Sequence, residues 1–98
     1  MTIKIEYITG VIMNFIDAQQ MQKDHPDTFE APTDAELEKL KIGDIVKVCH
    51  NDERFWVVII NIEGDKITAN VDNELICNQP FNNGDNIEFE KKHIYNIY

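Results

Sequence analysis

The fold of this chain is decided by residues 53–60, which read E-R-F-W-V-V-I-I. Four β-branched residues end the stretch, and such side chains favour an extended backbone. The stretch also holds the only Trp and the only Arg of the chain, directly after a carboxylate. We therefore expect a central β-strand with a charged, aromatic beginning.

Gly-Asp pairs occur on either side of this strand, at 43–44, 64–65 and 84–85. Glycine supplies a positive φ and aspartate bonds its own backbone, so each pair marks a turn. The pair at 64–65 separates two apolar runs, which predicts a β-hairpin. The complete pattern predicts strands near 3–8, 44–50, 55–62, 67–72, 86–90 and 94–97.

The N-terminal third predicts two short helices. Asp17 is placed to cap the first, and Pro26 is placed to close it. Thr33 and Glu36 have the T-x-x-E spacing of a capping box, which predicts a second helix over 34–40 with its two leucines turned inward.

These elements predict an α+β fold that is mainly β. We expect either a small SH3-like antiparallel barrel or a half-open sheet, with one or two short N-terminal helices covering one end. The 98 residues are expected to form a single domain, 1–98, with a helical and strand part over 1–40 and a β part over 41–98.

Charge is the strongest deviation in composition, with 18 acids against 9 bases and a net charge of −9. Such a field repels nucleic-acid phosphates and anionic membranes, so we expect no direct nucleic-acid or membrane binding. A basic protein partner is compatible with it, although the same acids also give solubility and begin helices. Six acids with no intervening base form the acidic segment, residues 24–38: Asp24, Asp27, Glu30, Asp34, Glu36 and Glu38.

The sequence predicts a cytoplasmic protein. No apolar run approaches the roughly 20 residues of a membrane-spanning helix. The first residues lack a charged region and a cleavage site of the secretory kind. Two cysteines, Cys49 and Cys77, do not make a disulfide framework, which fits reduced thiols.

Five strings occur in an order and spacing that resemble a family of small bacterial and phage proteins. They are T-F-E-A-P-T-D-A-E-L-E-K-L-K-I-G-D-I-V-K-V from 28, E-R-F-W-V from 53, V-D-N-E-L from 71, G-D-N-I-E-F from 84 and H-I from 93. The chain is similar to the bacterial domain of unknown function 2314, marked by E-R-x-W-V and a late G-D-x-I-x-F, over about residues 27–97. The resemblance implies a compact SH3-like barrel and no assigned catalytic residues.

No catalytic or cofactor motif is present in the sequence. Phosphate-binding glycine loops and G-x-S-x-G are absent, and the chain contains no serine. His50, Asp52 and Glu53 are close in sequence, but paired Cys/His spacings typical of zinc are lacking. We expect no cofactor, no metal and no catalytic residue. An enzyme would need a cluster formed only in three dimensions, such as Cys77 with His50 or His93.

Arg54 is the residue at which we expect an anionic ligand, because guanidinium binds carboxylate and phosphate in a bidentate manner. The alternative is an ion pair or an aromatic stack at the strand entrance. Trp56 is expected in the core or at the edge of a groove. Glu53 and Asn73, the latter in a long loop with four asparagines between 73 and 83, complete this candidate site.

Three functions remain open. The first is a non-catalytic protein that sequesters a basic host protein through the acidic segment, with Asp34, Glu36 and Glu38 in contact. The family resemblance gives it the character of a phage or accessory-genome inhibitor used in counter-defence. The second is an oligomeric binder, or sponge, for a nucleotide-like signal. The third is a small enzyme. The final strand is also a candidate edge for pairing into a homo-oligomer.

Overall fold

The computed structural model describes residues 13–98, so the strand predicted near 3–8 lies outside the described residues. Two α-helices come first, α1 (Ala18–Asp24) and α2 (Asp34–Glu38). A 3-10 turn, Lys91–His93, joins the last two strands. The five strands are β1 (Ile45–His50), β2 (Glu53–Glu63), β3 (Lys66–Val71), β4 (Asn86–Glu90) and β5 (Asn96–Ile97).

The strands form one antiparallel sheet in the order β4-β3-β2-β1-β5. A mainly β, α+β fold with a half-open sheet and two short helices is therefore confirmed. The alternative of a closed SH3-like barrel is wrong for the described residues, because β4 and β5 are the two edges of the sheet and do not pair with each other.

Both hairpins of the sheet turn through residues with positive φ. The predicted hairpin at 64–65 is confirmed, with Glu63 opposite Lys66 and a φ of 60° at Gly64. The turn from β1 to β2 uses Asn51 and Asp52, whose φ values are 49° and 65°. Two positive φ values match the right-handed twist of the flanking strands. This turn starts β2 two residues earlier than predicted.

Alternate residues of β2 build the core. Phe55, Val57 and Ile59 are buried and face the inside of the sheet. A register shift between Ile59 and Asn61 leaves the intervening Ile60 bulged outward and 40% exposed. Such a bulge increases the local twist of the strand.

Phe15, in the segment before α1, packs against the core between two strands. The Phe15 ring lies 4.9 Å from the His50 ring at the end of β1 and 5.7 Å from the Phe89 ring of β4. One phenyl ring before α1 therefore contacts side chains from both β1 and β4 at the core.

The two helices begin where their caps were predicted. The Asp17 carboxylate accepts the Gln20 backbone N–H at 3.0 Å, and Thr33 and Glu36 form the capping box. α2 ends at Glu38 and is shorter than predicted, but its Leu37 is buried in the core. Neither helix within residues 13–98 has the length and apolar composition needed to cross a bilayer.

Replacing Thr33 by Ala tests the capping box. The substitution removes the hydroxyl that accepts the Glu36 backbone N–H at 3.2 Å. We expect the free energy of unfolding to fall by about 0.5–2 kcal/mol, measured by urea denaturation. Thr33→Ser keeps the hydroxyl and is the matched control; equal stability of the Ala and Ser variants would contradict the role of the cap.

Candidate binding surfaces

The acidic segment exposes its charged side chains, whereas its Ala31 and Leu37 are buried. All six of its carboxylates belong to exposed residues, and none forms an ion pair within the part of the chain that the structure describes. The Glu36 carboxylate is used locally, since it accepts the Thr33 backbone N–H at 2.8 Å. Asp34 and Glu38, four residues apart on one face of α2, make no side-chain hydrogen bond to any described residue. Asp27 and Glu30 are likewise exposed and form no ion pair with a described residue, so four of the six carboxylates are open to a partner.

The outer face of the sheet, the side turned away from the core, carries Arg54 and Trp56. Both alternate along β2 with the buried Glu53, Phe55 and Val57. The expectation of Trp56 in the core is wrong, because its position in the two-residue alternation turns it outward. It is half-buried there by its neighbours on the outer face.

Two cation–aromatic contacts lie side by side on the outer face. The Lys47 Nζ is 4.7 Å from the centre of the Trp56 ring, and the Arg54 guanidinium carbon is 5.1 Å from that of Tyr95. These distances fall within the usual range for cation–π attraction. Each contacted ring also meets a second ring edge-on. The aromatic patch therefore consists of Phe29, Lys47, Arg54, Trp56, Tyr95 and Tyr98.

Cys49 lies under this patch, opposite Arg54 in the sheet register. Burial raises the pKa of the Cys49 thiol, although its hydrogen bond with Tyr95 and the charge of Arg54 act in the opposite direction. Burial also raises the pKa of Tyr95. The thiol is thus protonated and weakly nucleophilic at neutral pH.

Glu53 faces inward and holds the loop between β3 and β4, which we name the polar loop, residues 72–85. Its carboxylate accepts the backbone N–H of Ile76 at 2.6 Å, that of Cys77 at 3.0 Å and the Gln79 side-chain amide at 3.1 Å. Burial raises the pKa of Glu53, but these hydrogen bonds outweigh it and the net pKa is lower than the ordinary value. The carboxylate is therefore ionised, and it accepts its hydrogen bonds from the chain itself.

His50 extends the same network. Gln79 donates to Glu53 through its nitrogen, so its Oε1 accepts from the Nδ1–H of His50, at 2.8 Å. The other ring nitrogen, Nε2, accepts the Asn14 backbone N–H at 2.9 Å. This pattern fixes a neutral imidazole with its proton on Nδ1. Sequence reasoning missed Gln79, because it lies 26 residues from Glu53 and no local pattern connects them.

The Cys–His cluster required by the enzyme hypothesis is not formed among the described residues. Both ring nitrogens of His50 are bonded to Asn14 and Gln79 rather than to a thiol. His93 accepts the Glu90 backbone N–H at Nδ1, at 2.9 Å. Residues 13–98 also contain no group of three His, Cys, Asp or Glu side chains arranged to hold a metal ion.

Asn73 is a structural residue of the polar loop in the same way as Glu53. Its side-chain oxygen accepts the Trp56 backbone N–H at 2.9 Å, and its backbone N–H donates to the Asn83 side chain at 3.1 Å. The structure thus separates the predicted ligand site. Arg54 and Trp56 share the outer face, whereas Glu53 and Asn73 hold the polar loop.

A small cleft joins the acidic segment to the aromatic patch. Glu30 and Glu36 line one side, and Tyr95 and Asn96 line the other. Its volume of about 220 Å³ is below the roughly 300–1,000 Å³ typical of enclosed small-molecule sites. The cleft suits the tip of a single side chain better than a whole ligand.

A scan against protein-family models, a search of curated proteins and a search of solved structures each give no match. The resemblance to the domain of unknown function 2314 stays a prediction.

Replacing Glu53 by Gln tests the buried network. The amide leaves one acceptor oxygen for three donors, so we expect a loss of roughly 1–3 kcal/mol in unfolding free energy at pH 7. Because the folded pKa of Glu53 is lowered, its stabilisation is present above the unfolded pKa and disappears as pH falls through the folded one. The stabilities of wild type and variant should therefore converge as pH falls below about 4.3, the ordinary value for an unfolded glutamate.

Urea denaturation at several pH values measures this convergence. Glu63→Gln is the matched control, since it neutralises an exposed acid at the other end of β2. Parallel stability curves for wild type and Glu53→Gln over this pH range would contradict the network.

Proposed function

We propose that this chain is a non-catalytic binding protein that sequesters a basic protein through its acidic segment and the adjoining cleft. The observation that supports it best is the shared cleft of Glu30, Glu36 and Tyr95, which makes carboxylates and an aromatic ring one continuous surface. Carboxylates pair with lysine and arginine, and aromatic rings supply the desolvated contact that strong interfaces need.

The overall charge supports the same kind of partner. A net charge of −9 raises the rate of encounter with a basic protein through long-range attraction. Asp34 and Glu38 have no competing ion pair within residues 13–98, so a partner would not first have to displace one. Binding of this type weakens as salt is added.

The biological setting of the proposal comes from the family resemblance. The similarity to small bacterial and phage proteins suggests an inhibitor of a host factor, for example a defence protein, used in counter-defence. This step is analogy at the level of the family and does not come from the chemistry of the surface.

Replacing the two free carboxylates of α2 by amides tests the first proposal. We expect Asp34→Asn with Glu38→Gln to weaken binding of the co-purifying basic protein about 2- to 30-fold, at roughly 0.2–1 kcal/mol per exposed charge. The partner is identified by native mass spectrometry of protein isolated from cells that carry its natural partners. It is then purified and titrated against each variant.

The matched control neutralises two exposed acids that line no cleft with α2, Asp52→Asn before β2 with Glu63→Gln at the end of β2. It should bind as tightly as wild type after correction for ionic strength. An equal loss in both double variants would show that only net charge matters, and an unchanged affinity in the α2 variant would contradict the proposal.

A second candidate function is an oligomeric sponge for a small nucleotide-like anion. The observation that favours it is the pair of cations, Lys47 and Arg54, placed over neighbouring aromatic rings on the outer face. Cations bind phosphate and exposed rings stack on bases. Oligomerisation would use β5, which lies at an edge of the sheet.

Thermal unfolding with added AMP tests this second candidate. A ligand at about 100 times its Kd stabilises the folded protein by about 2.7 kcal/mol, and Arg54→Ala should abolish the shift. Lys39→Ala removes an exposed cation at the end of α2 and is the control. A shift that survives Arg54→Ala, or no shift in the wild type at saturating AMP, would exclude a nucleotide site at Arg54.

A further inference from the structure

We infer that the polar loop is a preformed docking loop, which inserts Ile76 into an apolar pocket of a protein partner whose pocket rim is basic. The inference rests on the proposed function, because it names how the sequestered basic protein would be held. It concerns a part of the molecule that neither the acidic segment nor the aromatic patch includes.

The tip of the polar loop presents an isoleucine to solvent. Ile76 is 92% exposed, more than any other large hydrophobic residue in the described chain. Cys77 and Asn78 after it are also exposed, whereas Leu75 before it packs against the core. A single exposed apolar residue is ordinary on a protein surface. Ile76 differs from such residues because its backbone is fixed by hydrogen bonds.

A buried carboxylate fixes the backbone of that same residue. Glu53, only 9% exposed, accepts the N–H of Ile76 and the N–H of Cys77, at 2.6 and 3.0 Å. Removing a carboxylate from water is costly unless donors compensate it. Two consecutive amides at the tip supply that compensation, so the Ile76 side chain projects from a backbone that is fixed before any partner arrives.

Further contacts hold both sides of the polar loop. Gln79 donates to the His50 carbonyl and to Glu53, at 2.8 and 3.1 Å. Phe81 is buried in the core, and the Asn73 backbone N–H is joined to the Asn83 side chain across the base of the loop. A loop fixed in this manner loses little conformational entropy on binding, which favours affinity.

The chemistry around the tip indicates the partner. Asp72 and Glu74 are exposed on the ascending side of the polar loop, and the whole chain carries a net charge of −9. A pocket with an acidic rim would be repelled, whereas a rim of lysine or arginine would pair with these carboxylates. The complementary surface is therefore an apolar pocket of isoleucine size bordered by basic side chains.

A photo-crosslinking amino acid introduced at position 78 tests the inference in the full-length protein. Asn78 is exposed and lies two residues from Ile76, and its side chain makes no hydrogen bond to a described residue. Irradiation in cells that carry natural partners should join the loop to the same basic protein that co-purifies with the wild type. That protein is then purified and titrated against two variants.

Ile76→Ser is the decisive variant, and Ile42→Ser is its matched control. Ile42 is 63% exposed and lies before β1, away from the polar loop. We expect Ile76→Ser to weaken binding about tenfold or more, as for a central interface residue. Ile42→Ser should bind as the wild type does. Both side chains are exposed, so both variants should fold, which circular dichroism verifies.

The outcomes separate this inference from the proposal it rests on. If neutralising α2 weakens binding but Ile76→Ser does not, the docking loop is excluded and the acidic surface stands. If the crosslinker at 78 joins no protein while the partner still co-purifies, the docking loop is also excluded. If no basic protein co-purifies at all, the proposed function fails first, and the docking loop fails with it.

Discussion

The two-residue alternation of β2 is the constraint on which the rest of the structure depends. Odd-numbered residues of its first half face inward, and even-numbered ones face outward. Phe55 and Val57 are thereby buried, while Arg54 and Trp56 meet their cation–aromatic partners on the outer face. The same alternation takes Glu53 inside. A shift of one residue would exchange these two sets completely.

The inward position of Glu53 links the fold to the loop that follows β3. A carboxylate at the first position of a central strand would be unfavourable if it remained without donors. The polar loop provides these donors from its backbone and from Gln79. The strand and the loop therefore stabilise each other. The buried charge of Glu53 needs the donors of the polar loop, and the polar loop is held in its conformation by the Glu53 carboxylate.

Features that depend on neighbouring residues could be predicted from the sequence. The hairpin at Gly64 and the cap at Thr33 follow from local chemistry over two to four residues, and both are present. The turn at Asn51 and Asp52 falls in the gap predicted between two strands, 51–54, but this gap was two residues too long. With the strand predicted to start at 55, the two-residue alternation did not include Glu53, and its inward direction was not predicted.

The candidate site was predictable only in its chemical character. The single Arg and the single Trp lie on one face of β2, but their partners Tyr95 and Lys47 come from other strands or segments. Glu53 and Asn73 were assigned to the same site, and the sequence did not predict that both hold the polar loop in place. Contacts over 17 to 26 residues depend on sheet topology, which periodicity alone does not determine.

The position of β5 has a consequence for synthesis of the chain. β5 pairs with β1, the earliest strand of the sheet, rather than with β4, which precedes it in sequence. While the ribosome is still extending the chain, β1, β2 and β3 can already form a meander, but Val46 and Lys47 keep an open backbone edge. That edge is covered only when residues 96–97 emerge, so the nascent chain passes through a stage at which intermolecular strand pairing competes with completion of the fold.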